Sequence, residues 1–481
     1  MRIINNKKQK SGFMFNKKMP VTFWRRSSIT LVSLFLLSSC ASYHPQPLPK
    51  QVDLAKNLGV LSVKANKLMG KQMNHHEVDL TDGLDLTEVA ILAVLGNPEL
   101  KSKRAQIEVA GAQAFAAGLL PDPQLAVNHD KPSGNATGLV DAIGIGLSFD
   151  ITRLITQQAR IDAKHNAQTE INLELLWQEW QVIQQARSLA VRFQFEEQQL
   201  VLLKNMNVLY KSRYLRSKKG LAQGNVTLDV NGIDLTAVLD SLSQTSQLEQ
   251  KHNQTRYQLN LLLGLQPDVV VSLAKIETNI SPNRNLIKSR LQKLADIRPD
   301  LLALKAGYQS QEANVRAAIM AQFPSFSIGI NQARDTGGLH TRGYTVGLNL
   351  PLFDGNRGVI AIERATREKL SREYQARLSQ TKSDINRLLK LQTIVEKLRN
   401  KLNIYLPRLQ VLVKRATKAY RRGDIGALTF LNMESTWVNK RLELISMQQT
   451  LWENRIALQT LLALPDNNLP LVSNSFIKNK I

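Results

Sequence analysis

Hydrophobic and polar positions follow two periods along this chain, and the same succession of periods is written twice. Helical spacing governs most of it. From Arg153 to Lys219 there is no Gly and no Pro, and apolar residues such as Ile171, Leu175, Leu176, Val182, Leu189 and Phe193 recur among Gln, Glu and Arg, which predicts one long amphipathic helix. At 1.5 Å per residue it would measure on the order of 100 Å, more than a globular core needs, so it must pack lengthwise on other helices. The run breaks at Gly220-Leu221-Ala222-Gln223-Gly224 and resumes from Val226 to Leu263. A second run, Val359 to Arg422, breaks at Gly423-Asp424-Ile425-Gly426 and resumes to Leu464. Both breaks read as hairpin tips, and Pro407 inside the second run predicts a kink.

A period of two precedes each long run. Ile143, Ile145, Leu147 and Phe149 alternate with Gly144, Gly146, Ser148 and Asp150 over 142–151, and Tyr344, Val346, Leu348 and Leu350 with Thr345, Gly347 and Asn349 over 343–353. Each of these strands has a partner just before it. Leu125 and Val127 follow Pro123, and Phe326, Ile328 and Ile330 follow Pro324, so each half holds a strand pair joined by a Gly-containing loop, 131–141 and 333–342. Four strands are fewer than the roughly eight of the smallest filled barrel, and open edges cannot face lipid. Several chains are needed to close them.

Upstream of each pair lies an Ala-rich helix, opened by Asn97-Pro98-Glu99-Leu100 in one half and Arg298-Pro299-Asp300-Leu301 in the other. A returning helix and the next Ala-rich helix together approach the outgoing run in length, which predicts that the short helices stack end to end beside the long one. Residues 266–297, with Pro267 and Ser281-Pro282-Asn283, would lie where they meet, at the middle of the helical assembly. The tail 465–481 would end at that level.

The first 39 residues change the picture. They carry eight basic residues and no acid, then the apolar run Ile29 to Leu37 and Leu37-Ser38-Ser39-Cys40, the make-up of an export signal too short to span a bilayer. The tetrapeptide resembles the lipobox of bacterial lipoproteins, with Cys40, the chain's one cysteine, as the lipidated residue. No internal disulfide is possible, so packing and oligomerisation must hold the fold. The 481 residues have a formal charge of +24, and about +16 without the leader. The basic residues are spread along helices without a nucleic-acid motif, and nucleic acid is not expected as a partner. His75-His76-Glu77 lacks further ligands at metal-site spacing, Asp85 and Glu88 read as a helix cap, and no cofactor, metal site or catalytic constellation is expected. The chain is not expected to be an enzyme.

With the strand pairs, the hairpins and the lipobox, the stretches 298–301, Ala321-Gln322-Phe323-Pro324-Ser325-Phe326 and Leu348-Asn349-Leu350-Pro351-Leu352-Phe353-Asp354-Gly355-Asn356-Arg357 carry a resemblance. The chain resembles the outer-membrane efflux protein (TolC) family, especially its lipidated members serving RND-type tripartite pumps. The resemblance implies a mainly α fold with a small β part: a homotrimer whose four strands per chain build a 12-stranded outer-membrane barrel continued by a helical tunnel in the periplasm. The expected organisation is a signal peptide over 1–39, a lipidated linker over 40–83, a first repeat over 84–265 (strands 123–151, hairpin 153–263), an equatorial connection over 266–297, and a second repeat over 298–464 (strands 324–353, hairpin 359–464).

The implied function is passive: an outer-membrane exit duct for substrates handed over by an inner-membrane transporter, of RND type, through a periplasmic adaptor. A duct for type I protein secretion and, less well matched, a periplasmic adaptor lipoprotein are the alternatives. Ile143, Ile145, Leu147, Phe149, Phe326, Ile328, Ile330, Tyr344, Val346 and Leu348 are expected to face lipid. Gly220, Leu221, Gly423 and Asp424 are the expected adaptor-docking tips. Asp229 occupies the place of an aperture acid, with a helix-start acid as its other role, whereas Thr429 and Asn432 stand where some members carry acids.

Overall fold

A computed structural model describes residues 43–69, 78–133, 138–276 and 284–464. Cys40, the leader, His75-His76-Glu77, Ser281-Pro282-Asn283 and the tail from 465 lie outside the described residues. Two units are distinguished, 1–52 and 53–481. In the first, residues 43–52 are exposed and hold no helix or strand.

The second unit begins with α1 (Leu58–Met69), α2 (Leu86–Gly96) and α3 (Pro98–Gly118), followed by β1 (Gln124–Asp130), β2 (Ala142–Asp150), α4 (Ile151–Ala222) and α5 (Leu228–Leu263). Two short helices, α6 (Arg284–Gln292) and α7 (Leu294–Ile297), lead to the second half. There α8 (Pro299–Met320), β3 (Ser325–Arg334), β4 (His340–Asn349), α9 (Arg357–Arg422) and α10 (Ala427–Leu461) repeat the order of the first. The 72 residues of α4 extend for about 108 Å. Its first half packs on α8, where Ser310 Oγ donates to the Ala163 carbonyl at 2.8 Å. Its second half packs on α5, where Asn207 donates to Thr245 at 2.8 Å. The 36 residues of α5 and 22 of α8 thus lie in succession along α4, as the lengths predict.

Equivalent caps tie each half to itself. Pro98 and Pro299 each stand in a helix's first turn, where a missing N–H costs nothing. The residue before each Pro reaches the end of its own half's returning helix: Asn97 Nδ2 donates to the Leu262 carbonyl at 3.2 Å, and Arg298 Nη1 to Leu461 at 3.1 Å. Arg298 is 1 % exposed, forked onto Asp300 and stacked 4.7 Å from the Trp177 ring centroid. In the first half, Gly96 and Gly264 let two backbones touch. A Cβ on Gly96 would lie 1.9 Å from the Leu263 carbonyl oxygen, which no side chain tolerates. Apolar clusters collect at these levels, one around Leu92, Leu100, Ala186 and Leu263, the other around Leu294, Leu301, Ile385 and Leu462. Asp85 and Glu88 form a full capping box on α2, as their spacing predicts.

Several bounds differ from expectation. β4 runs over 340–349 and not to 353, because Pro351 has no N–H to donate and the ladder ends before it. Its connection to β3 is correspondingly tighter: Arg334 pairs with His340, leaving a turn at 335–339. Ile151 opens α4 instead of closing β2, since the Asp150 carboxylate accepts from the Thr152 and Arg153 amides and caps the helix. α9 starts at Arg357, α5 at Leu228, and α10 ends at Leu461. α9 is continuous through Pro407.

Candidate functional site: a two-faced sheet and two helix tips

The four strands form one antiparallel sheet in the order β1-β2-β3-β4. Its register puts every expected lipid-facing residue on one side, because directly paired residues share a face. One row runs Leu125, Leu147, Ile330, Tyr344, and the next Phe149, Ile328, Val346. Phe326 opposes Leu348, and Val127 opposes Ile145. Leu125 and Val127 therefore join the residues expected from sequence. Toward the loops this face turns polar, with Gln332 and Arg342 beside Ile145, and Arg334 and His340 beside Ile143. Phe326 closes this face at the helix end, and Phe323 and Phe353, just outside the strands, are 63 % and 91 % exposed.

The opposite face is polar and small, as in the row Gln124, Ser148, Gly329, Thr345 and the row Asp150, Ser327, Gly347. Among the described residues, neither outer edge, along β1 or β4, has a neighbouring strand in the sheet. Among the described residues, no helix is long and apolar enough to cross a membrane, and no group of three or more His, Cys, Asp or Glu could hold a metal ion.

The tips close with the same motif twice. At the second tip Gly423 has φ 82°, its amide donates to the Tyr420 carbonyl at 3.1 Å, and the Asp424 amide donates to Ala419 at 2.9 Å. At the first, Gly224 has φ 75°, its amide donates to Leu221 at 3.0 Å, and the Asn225 amide donates to Gly220 at 2.8 Å. These are Schellman caps. The structural counterpart of Gly423 is thus Gly224, not Gly220, which sits in the last turn of α4 under Val226; a Cβ on it would lie 2.6 Å from Val226 Cγ2. Leu221 is half-buried beside it, and Asp424 is paired with Arg422 at 2.9 Å. Asp229 is exposed in the first turn of α5, where the helix dipole favours an acid.

Above the tips lies a buried cluster that periodicity did not single out. Arg213 of α4, 6 % exposed, donates through Nε to Asp234 of α5 at 2.9 Å and through Nη1 to Glu434 of α10 at 3.3 Å. Its guanidinium carbon is 5.2 Å from the Phe430 ring centroid and 5.8 Å from that of Tyr420, on α9. The two rings stack at 5.0 Å. One side chain therefore touches all three other helices of the two hairpins. Burial pushes the Glu434 carboxyl above its ordinary range, Arg213 pulling the other way and Asp234 adding to the rise. Tyr210, beside them, is pushed up to about 12 by burial and by Glu434.

No curated protein matches the chain. Residues 291–464 match the sequence profile described as outer membrane efflux protein. The fold is similar to that of the Campylobacter jejuni CmeC outer membrane channel, with a TM-score of 0.68 and 16% identity over 92% of this chain and 98% of that one. A structure of CusC, described in terms of folding and transmembrane channel formation, superposes with a TM-score of 0.66 and 17% identity over 88% of this chain and 99% of that one. The open state of the Neisseria gonorrhoeae MtrE outer membrane channel gives 0.63 and 16% over 88% and 98%. Residues 291–464 are thus similar to the outer membrane efflux protein family, and along most of its length the chain has the fold of solved outer-membrane channels.

Proposed function

We propose that this chain is the outer-membrane exit duct of a tripartite efflux system. The observation that carries the reading is the sheet: apolar on one face, polar on the other, and open at both edges. With four alternating strands, β4 of one copy meets β1 of the next antiparallel, so copies close into a ring without a parallel joint. Three copies, as the family resemblance implies, give twelve strands. Ile143, Ile145, Leu147, Phe149, Phe326, Ile328, Ile330, Tyr344, Val346 and Leu348 then meet lipid, and Phe323 and Phe353 sit in an interfacial aromatic belt.

Exposed apolar stripes support lateral contact between copies. Leu228, Leu235, Leu239 and Leu242 form one along α5, and Ile394, Leu398, Tyr405 and Leu412 another along α9. Cys40 carries the lipid anchor. The duct works by lowering the barrier for polar solutes, and it draws no energy itself. An inner-membrane pump of RND type delivers the cargo through an adaptor that engages the tips at Gly220, Leu221, Gly423 and Asp424. Asp229 lines the aperture.

The test is purification from the outer membrane in detergent, mass measurement, and reconstitution into a planar bilayer. A trimer that conducts stepwise currents is expected. A monomer soluble without detergent would refute the reading.

A further inference from the structure

The apolar face of the sheet ends, toward the loops, in a charge pattern that conduction does not require. His129, Arg334, His340 and Arg342 all lie on that face, in its last two rows. Exposed Lys131 directly follows β1. Within the strands no Asp or Glu shares that face, and no Lys, Arg or His lies on the polar one, whose charged residues are Asp130 and Asp150. Cations placed only for solubility would fall on both faces.

These cations are short of partners. The Asp141 carboxylate meets His129 at 3.2 Å, and the Asp141 carbonyl accepts one bond from Arg334 Nη2 at 2.9 Å. Asp335, in the turn, accepts from the Leu339 amide at 2.8 Å. Among the described residues Arg334 Nε has no hydrogen-bond partner, and no carboxylate pairs with Lys131, Arg334 or Arg342. The helix end of the sheet differs. There Arg357 donates to the Asp354 and Phe353 carbonyls at 3.1 and 2.9 Å, and Arg153 lies 4.0 Å from Asp150. Cations near the helices are spent within the chain, and those near the loops are not.

Their level is set by the strands. Eight residues separate Phe326 from Arg334 and Leu348 from His340, about 27 Å along a strand and about 21 Å across the membrane at a tilt of about 40°. With Phe326 and Leu348 at one margin of an apolar band about 25 Å tall, Arg334 and His340 come within a side-chain length of the other. Joining β4 of one copy to β1 of the next brings further cations to this rim, since Lys131 and His129 stand at the loop end of β1. We propose that Lys131, Arg334, His340 and Arg342 hold the phosphate groups of an anionic lipid in the outer leaflet, whose acyl chains pack on the apolar rows beside them. Guanidinium groups suit this because they bind phosphate in a two-pronged fashion. This rests on the duct reading, which turns the apolar face to lipid and the loops away from the periplasm.

The test uses the full chain as purified in neutral detergent, titrated with lipid A, a diphosphorylated glucosamine-disaccharide lipid, and followed by native mass spectrometry. The fully dephosphorylated lipid is the control. The trimer should retain the phosphorylated lipid about tenfold or more better than the control. At about fivefold per cation near an anionic surface, R334Q/R342Q should weaken that retention about twentyfold. R334K/R342K should keep most of it, and K397Q/K401Q, which removes two exposed cations from α9, should change nothing.

Equal retention of the two lipids would overturn the proposal, as would unchanged retention by R334Q/R342Q or an equal loss in K397Q/K401Q. Displacement of the lipid by about 10 mM inorganic phosphate would also overturn it, making the rim a site for free anions. If R334Q/R342Q does not assemble, R334K/R342K decides: loss of lipid from its intact trimer refutes the proposal. A protein that conducts without distinguishing the lipids refutes this proposal and leaves the duct. One that retains the phosphorylated lipid but does not conduct refutes the duct.

Discussion

Replacing Arg213 by Met should loosen both hairpins in a way that depends on pH. The guanidinium is the only cation paired with Asp234 and Glu434 among the described residues, and those carboxylates are 2 % and 6 % exposed. Methionine fills most of the volume but leaves two buried acids without a counter-charge, which typically costs about 3–5 kcal/mol. Stacking on Phe430 and Tyr420 is lost as well. The cost is local to four helix segments, so hydrogen exchange of α5 around Asp234 and of α10 around Glu434 is the appropriate readout, not a global melting point.

The sign of the pH dependence follows from Glu434, whose folded pKa already lies above its ordinary 4.5 because burial disfavours the anion. Without Arg213 it rises further. A carboxyl that is easier to protonate in the folded state costs nothing below the unfolded pKa, and its penalty grows as pH rises through that value to the folded one. Exchange in R213M should thus be near wild type at about pH 4 and much faster at about pH 8. The triple variant R213M/D234N/E434Q should recover most of the loss at high pH, since neutral amides need no cation. Unchanged exchange in R213M, or a triple variant no better than the single one, would falsify the account.

Other perturbations test other levels. Gly423→Val forces a β-branched residue to φ 82° and should cost about 1–2 kcal/mol or more, opening amides of the last turn of α9 in hydrogen exchange; the same change at Gly426, with φ −72°, should be milder. In the proposed barrel Leu147→Arg places a charge on the apolar face and should cost about 2–4 kcal/mol of stability, reducing the outer-membrane fraction, whereas Gly146→Ser on the other face should not. Glu170, pushed up to about 7 by burial with a smaller push from Glu174, should make the packing of α4 on α8 weaken as pH rises from about 4.5 to about 7. Glu170→Gln should remove that dependence from exchange of the α8 amides, and its persistence would show that another group is responsible.

The elements legible in the sequence are those set by local chemistry. Absence of Gly and Pro marks α4, alternation marks β2 and β3, and Pro at 98 and 299 marks two helix starts. Alternation also groups the apolar residues that the register brings to one face of the sheet, since register follows from which side is apolar. What remained hidden depends on contacts distant in sequence. Arg213 lies 221 residues from Glu434, and in a helix rich in Lys and Arg nothing local distinguishes the one that is buried. Which glycine of the 220–224 break caps α4 is hidden for a related reason, since only backbone dihedrals tell the cap, Gly224, from the close contact, Gly220. Strand bounds failed at β4 because apolar residues continue to Phe353 after the ladder has stopped at Pro351.

The duplication is therefore not functionally even. Near the sheet and the middle of the helices, the halves solve the same problem in parallel: Asn97 and Arg298 each bind the end of their own returning helix. At the tips that symmetry is broken, because Arg213 of the first half binds Glu434 of the second and the second half has Leu412 at the position equivalent to Arg213. A one-sided lock of this kind makes the two hairpins unequal. The first supplies the cation that holds both, and any motion of the second away from the first must break a buried ion pair, whereas a motion of the two together need not. If the tips of the proposed duct move, the physics favours their moving as a pair in each chain, with the sliding surface between copies and not within one.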